Sequence, residues 1–250
     1  MAGHSKWANI KHRKGAQDKK RGKIFTRCIK DIYVAVKEGG DELSSNPRLR
    51  TAIQNAKGVN MPKDTIERAI KKAASKDSES YIESTYEGYG PGGIGFFIEC
   101  TTDNVNRTVA NIRAIFNKFN GELGKNGSLE FLFKRVGIFE LDKKIVPLNE
   151  EELEMSLIDG GLEDFDIEGQ SYFFTTSFEN FGLMQKKLEE LDLTPKISKL
   201  ERIPIETKKM NSDRAKVILN MIEKFEEDED VQEDSAYGAG EMGIDRLVLY

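Results

Sequence analysis

The chain is poor in the residues that most often carry catalysis or hold metal. Its 250 residues include two cysteines, two histidines and one tryptophan. Cys28 and Cys100 lie far apart, a pattern expected of reduced thiols in a cytosolic protein rather than of a disulfide framework. Both histidines, His4 and His12, fall in the first dozen residues, so a histidine-based nucleophilic triad would be badly placed. No Cys-x-x-Cys or His-x-x-x-His spacing occurs, and no metal site is expected. No apolar run approaches the roughly 18 residues of a membrane span. The opening, Met1 to Trp7, passes straight into polar sequence without the apolar stretch of a secretory signal. These features predict a cytoplasmic protein with no membrane partner.

Charge is plentiful and unevenly placed. A net charge of −5 hides a first stretch of 76 residues with 19 Lys and Arg against 7 Asp and Glu, near +12, and a remaining 174 with 19 against 36, near −17. A basic surface concentrates phosphate polyanions and an acidic one repels them. The division predicts a nucleic-acid binder with one contact module and a body held off the polymer.

The basic character is densest at the start. Between Lys6 and Lys23 lie Lys6, Lys11, Arg13, Lys14, Lys19, Lys20, Arg21 and Lys23, around Trp7 and His12. Apolar residues there are too few to make a core, so most of these side chains face solvent. Phosphates would relieve their mutual repulsion by displacing condensed counterions. Trp7 reads either as a stacking platform for a base or as a lid on the following helix.

Three helices follow. Phe25, Ile29, Ile32 and Val36 recur at the spacing of a one-sided helix that ends at Gly39-Gly40. Asn46-Pro47 opens a second, with Leu49, Ile53 and Ala56 inward and Gly58 closing it. Pro62 opens a third, with Ile66, Ala69 and Ile70 inward. Residues 1–76 thus read as a small basic bundle, in which Arg48, Arg50, Lys57 and Lys63 would extend the phosphate surface. A helix-turn-helix would be compatible with three short helices, which are too common a pattern to specify DNA reading.

From Ser80 strands alternate with helices. Residues 81–87 and 94–101 read as strands joined by Gly88-Tyr89-Gly90-Pro91-Gly92-Gly93. A helix capped by Thr102 or Asp103 carries Val105, Val109, Ile112, Phe116 and Phe119 on one edge. Leu129 to Val136 reads as a further strand. From Gly137 the order is strand 138–142, helix 150–159, strands 163–168 and 171–176, helix 179–190 and strand 196–203: a βαββαβ, ferredoxin-like pattern. A later helix with Ala215, Ile218, Ile222 and Phe225 inward has no sheet of its own, and Val231 begins a last strand. The fold expected is α+β and multidomain: a three-helix basic bundle (1–76), a discontinuous α+β domain (77–136 plus 204–236), an inserted ferredoxin-like domain (137–203) and a C-terminal tail (237–250). Insertion is tolerated where the ends of the inserted unit lie close together.

Little chemistry is legible in this body. The glycine cluster lacks the Gly-Lys-Ser/Thr of a phosphate loop and any dinucleotide spacing, and Pro91 makes a hairpin turn the simpler reading. Asp164 with Asp166, or Asp228 with Asp230, would be the pairs to consider for a Mg²⁺ nuclease, but both sit in ordinary acidic sequence. Residues 223–234 hold eight acids and one lysine, which reads as a solvated helix end or as a competitor of nucleic acid for the basic bundle. No enzyme and no cofactor are expected.

The opening AGHSKWANIKHRKGAQDKKRGKIFTR resembles the signature of the YebC/PmpR family, which includes the mitochondrial translational activator of cytochrome c oxidase subunit I. The resemblance extends through Asn46-Pro47-Arg48-Leu49-Arg50, Asn60-Met61-Pro62-Lys63-Asp64, Ile66 to Lys71, Tyr86 to Gly93, Thr102-Asp103-Asn104 and Asn106-Arg107-Thr108. It implies a helical bundle and two α/β domains, and no catalytic activity. It also implies a regulator of gene expression: either a ribosome-associated translation factor that relieves stalling, meeting ribosomal or transfer RNA, or a transcriptional regulator binding promoter DNA. In the family the Ser5–Lys14 and Lys19–Lys23 portions are where RNA would be met. That carries over to Ser5, Lys6, Trp7, Asn9, Lys11, His12, Arg13 and Lys14. The end, EDSAYGAGEMGIDRLVLY, departs from the short Tyr-containing tail usual in the family.

Overall fold

The structure, a computed structural model, describes residues 17–76, 78–205 and 212–237. In chain order the helices and strands are α1 (Gln17–Gly39), α2 (Pro47–Gly58), α3 (Lys63–Ala74), β1 (Ile82–Gly90), β2 (Ile94–Thr102), α4 (Val105–Lys118), β3 (Glu122–Leu123), β4 (Phe133–Asp142), α5 (Glu150–Ile158), β5 (Leu162–Glu168), β6 (Ser171–Ser177), α6 (Phe181–Glu190), β7 (Ile197–Pro204), α7 (Ser212–Glu227) and β8 (Val231–Tyr237). The architecture is α+β, with a helical N-terminal region and two four-stranded sheets, ordered β3-β1-β2-β8 and β5-β6-β4-β7. The described chain forms two compact units. One takes Asp31–Lys76 and Arg135–Glu201; the other takes the described residues up to Lys30, those from 78 to 134, and those from Arg202 onward.

In the first unit, Asn46 ties one helix end to the next helix start. Its Nδ2 donates to the Ala35 and Gly40 carbonyls at 2.8 and 2.7 Å, and its Oδ1 accepts from the Leu49 amide at 2.9 Å. Gly40 takes a φ of +80°, a conformation glycine adopts without steric cost, to end α1. Pro47 occupies the first turn of α2, where a missing amide hydrogen is harmless. Leu49, Ala52 and Ala56 are buried on α2, and Ile66, Ala69 and Ala73 on α3; Ile53 and Ile70, expected inward, are only half-buried.

The sheet of this unit pairs β4 and β5 antiparallel with β6. Phe139 and Phe174 stack at 5.3 Å between centroids, and Leu153 and Leu157 of α5 and Met184 and Leu188 of α6 are buried in the same cluster. Residues 129–136 differ from the expected strand. Glu130–Leu132 make a turn of 3₁₀ helix, and β4 then runs on without a break through Gly137. The glycine stays inside the strand because a Cβ there would lie 2.6 Å from Phe181 and 2.8 Å from the Thr176 hydroxyl.

In the second unit β1 and β2 form a hairpin with Gly90 opposite Ile94, and β2 pairs with β8. Gly92 and Gly93, with φ of +75° and +74°, make its turn. Gly88 serves packing instead: a Cβ would lie 2.6 Å from Phe116. Phe96 of β2, Phe116 of α4 and Phe225 of α7 meet with centroids 5.2–6.0 Å apart and form the aromatic centre of this core. Ala215, Ile218, Ile222 and Phe225 are all buried, as their spacing predicts. The cap of α4 is Asn104, one residue beyond the two candidates. Its side chain accepts from the Arg107 amide, while Thr102 accepts from the Asn104 amide and Asp103 pairs with Arg107. Glu87, buried within β1, accepts the Gly127 amide at 2.6 Å and the Leu129 amide, which fixes the loop ahead of the 3₁₀ turn.

One contact in the first unit gives a sharp test. A Cβ at Gly58, the last residue of α2, would lie 1.9 Å from the Lys196 carbonyl oxygen, beside the bonds that join Asn55 to Ser198 through both its amide atoms. Gly to Ala in a helix normally stabilises by up to about 1 kcal/mol. Here the clash is with backbone, and Gly58→Ala is expected to destabilise by about 1–3 kcal/mol, measured as a lower midpoint in urea unfolding.

Candidate nucleic-acid interface

The amino-terminal part of α1 is the described portion of the basic segment. Within the second unit it presents Lys23, Arg27 and Lys30 along one face, at the i, i+4, i+7 spacing that aligns side chains on a helix. Two reach the last carbonyls of α7 and the third a carbonyl two residues beyond it. Lys23 donates to Glu227 O at 2.5 Å, Arg27 to Glu226 O at 3.2 Å and Lys30 to Glu229 O at 2.6 Å. The last carbonyls of a helix lack intrahelical donors and carry partial negative charge, so Lys23 and Arg27 satisfy both demands there. The acidic run is therefore not simply a solvated end: its backbone is held by basic side chains of α1.

Lys30 is buried, and each of its three ammonium protons has an acceptor: Thr101 O at 2.8 Å, Glu229 O at 2.6 Å and Asp230 Oδ1 at 2.9 Å. Asp230, equally buried, also accepts from Arg107 at 2.8 Å and from the Thr108 hydroxyl at 2.9 Å on Oδ2. Its own carbonyl takes the Thr101 amide at 2.8 Å. Burial alone would push the Asp230 carboxyl up. The hydrogen bonds from Lys30, Arg107 and Thr108, with the charge of Lys30, more than offset this and hold it below the ordinary carboxylate range. Arg107 is raised in turn, first by its bonds to Asp230 and then to Asp103. Glu227 is lowered by its bond from Lys224, with Lys23 and Lys118 adding to the local positive field.

The other candidate positions are dispersed. Ser5, Lys6, Trp7, Asn9, Lys11, His12, Arg13 and Lys14 lie outside the described residues. Lys19, Lys20 and Arg21 fall on the first turns of α1, and their side chains are likewise outside what is described. In the first unit Arg48 pairs with Glu38 at 2.6 Å, and Arg50 donates to the Leu43 and Ser44 carbonyls. Arg50 also borders a cleft of about 290 Å³ lined by Thr51, Gln54, Gln185, Glu189 and Asp192 among others. Lys57 is exposed in the last turn of α2, and Lys63, at the start of α3, stands 3.5 Å from Glu67 with both side chains largely in water. An ion pair that exposed contributes little, so Lys63 can exchange its partner at small cost.

Sequence reasoning missed Lys30, Arg107, Thr108 and Asp230 as one cluster. The faint signal was a lysine set between Ile29 and Ile32 on an apolar stripe. Among the described residues no group of three or more His, Cys, Asp or Glu side chains is arranged to hold a metal ion.

Removing one member of a buried, hydrogen-bonded pair strands the other, which typically costs about 3–5 kcal/mol. Asp230→Asn is expected to destabilise by about 3 kcal/mol at pH 7. Because the native carboxyl titrates below its unfolded value, its stabilisation is complete above about pH 4–5 and is lost as pH falls through the native pKa. Urea unfolding from pH 7 to pH 3 should show the gap between the two proteins closing on the acid side.

The sequence matches the description of the TACO1/YebC protein N-terminal domain over residues 5–76 and that of the TACO1/YebC second and third domain over residues 81–234. A probable transcriptional regulatory protein of Amoebophilus asiaticus is 48% identical over 93% of this chain and 96% of its own length. The probable transcriptional regulatory protein YrbC of Bacillus subtilis is 45% identical over 93% of this chain and 97% of its own. The crystal structure of a conserved hypothetical protein, Aq1575, from Aquifex aeolicus superposes with a TM-score of 0.82 at 38% identity, covering 96% of this chain and 99% of that one. With both domain descriptions matched in order across most of its length, the chain belongs to the TACO1/YebC family, the YebC/PmpR regulatory proteins.

Proposed function

We propose that this regulator acts on translation, as a non-enzymatic, cytoplasmic factor that meets ribosomal or transfer RNA on the ribosome and relieves stalling. The observation that carries the reading is the charge division, with 19 cations against 7 acids in the first 76 residues and the reverse balance beyond. The residues assigned to RNA are Ser5, Lys6, Trp7, Asn9, Lys11, His12, Arg13, Lys14, Lys19, Lys20 and Arg21, with Lys57 and Lys63 as outlying phosphate contacts. Unstacked RNA is characteristically read by aromatic stacking and basic arms, and Trp7 lies among the cations. In the finer domain reading the sheet of order β5-β6-β4-β7 is a ferredoxin-like unit set into the other α+β domain, behind a basic module of residues 1–76.

The relatives named as probable transcriptional regulators favour a second reading, a promoter-binding protein. A helix reading the major groove needs a row of base-contacting side chains. On α2, Arg48 and Arg50 are engaged with Glu38 and with backbone carbonyls, and the exposed face of α3 mixes Asp64 and Glu67 with Arg68 and Lys71. That pattern supports the RNA reading over the DNA one.

Co-sedimentation with ribosomes, set against binding to promoter and random DNA at the same salt, separates the two. The full chain is expected to sediment with ribosomes, and Lys11/Arg13/Lys14→Glu to lose that association with a shallower salt dependence. Preference for a defined promoter by about 1000-fold over random DNA would establish the regulator instead.

A further inference from the structure

The electronegative part of the chain contains an interruption. From Asn104 to Gly121 there is no Asp or Glu, while Arg107, Arg113 and Lys118 supply three cations and Asn104, Asn106, Asn111, Asn117 and Asn120 five amides. Over residues 77–250 as a whole, acids occur about once in five positions, 36 in 174. Most of this stretch is α4. Its inner face buries Thr108, Ile112 and Phe116. Its outer face carries Asn106, Ala110, Arg113, Ala114 and Asn117, all exposed.

Asn106, Arg113 and Asn117 stand seven and eleven residues along from the first, which at 3.6 residues per turn places them on one line about 16 Å long. Among the described residues, neither a packing role nor an internal ion pair accounts for the composition of this line. Ala110 and Ala114, set beside it, leave room for a polymer backbone to approach the helix closely. Arg107, at the same helix's first turn, shares the Asp230 carboxylate with Lys30 of α1. The helix that bears Lys19, Lys20 and Arg21 is thus joined to α4 through one buried carboxylate.

We propose that the outer face of α4 is a second RNA-contacting surface, on which Arg113 neutralises a phosphate and Asn106 and Asn117 bond phosphate oxygens or ribose 2′-hydroxyls. Amide side chains both donate and accept, as a 2′-hydroxyl requires, whereas a purely electrostatic surface would be built of lysine. The body is then not held off the polymer along its whole surface: an acid-free helix offers it a second contact face. This rests on the RNA reading above and extends it to the part of the chain expected to stay clear of nucleic acid.

The test uses the full chain and a fluorescein-labelled 20-nucleotide single-stranded RNA of mixed sequence, with the DNA of the same sequence alongside, in anisotropy titrations across a salt series. Arg113→Glu with Asn117→Asp is expected to weaken RNA binding about tenfold and to flatten the salt dependence by roughly one phosphate contact. Arg113→Lys should keep the salt slope. Ala114→Glu, a separate exposed position, should weaken binding to a similar degree, and unfolding midpoints should match the unsubstituted protein. RNA affinity within twofold of the unsubstituted protein for both acidic variants, while Lys11/Arg13/Lys14→Glu loses binding, overturns the α4 surface and leaves the RNA reading standing. Equal losses on RNA and DNA overturn the 2′-hydroxyl assignment. A full chain that binds no RNA overturns both proposals.

Discussion

A single carboxylate organises the second unit. Asp230 follows α7 by three residues and opens the turn into β8, and it gathers Lys30 from α1 and Arg107 and Thr108 from α4 around its two oxygens. Burying a lysine is costly unless every proton finds an acceptor. Here each does, through two backbone carbonyls and the carboxylate. Direction follows from this arrangement: the acid must lie beyond the end of α7, because the same lysine also satisfies the Glu229 carbonyl. Apolar packing among Phe96, Phe116 and Phe225 supplies the larger share of cohesion, but it is tolerant of small rotations. The carboxylate, with fixed donors on two helices, is not.

The acidic run takes on a different meaning in this setting. Eight acids among residues 223–234 read as a solvated surface that repels polyanions. In the fold, Lys23, Arg27 and Lys30 bind the backbone of that run, Asn111 donates to Asp228 and Lys224 to Glu227. Of its carboxylates, Asp230 is paired with Lys30 and Arg107, and Glu227 with Lys224. Conversely, Lys23, counted among the cations offered to phosphate, already has an acceptor within the unit.

Local signals in the sequence placed most elements well. Asn46-Pro47, the Gly92-Gly93 turn and the apolar spacing of 215, 218, 222 and 225 each encode their structure through the nearest neighbours. What failed depended on distant chain. The segment 129–136 was indistinguishable from a strand because its 3₁₀ turn is imposed by Glu87, far away in β1. The partnership of Lys30 with Asp230, separated by 200 positions, left only the faint mark of a lysine on an apolar stripe. Gly137 lies inside the continuous strand β4, where a Cβ would meet Phe181 and Thr176, contacts that the local sequence does not reveal. The same limit applied to the site. Net charge over long stretches was readable, but which cations are consumed by the fold, as Lys30 is, depends on acceptors that only folding brings near.

The distinction between consumed and available cations bears on how a protein of net charge −5 would approach the RNA proposed for it. Long-range attraction scales with the net field, but beyond a Debye length of about 8 Å at physiological salt it is largely screened. Contact is then decided by the charges within reach of each phosphate. An exposed arginine such as Arg113, with no acid for a full helix length around it in sequence, acts as a local positive site despite the acidic sequence that follows. A lysine whose three protons are all bonded, as those of Lys30 are, contributes to the field without offering a donor. Affinity in such a protein depends less on how many cations it carries than on how many the fold leaves uncommitted.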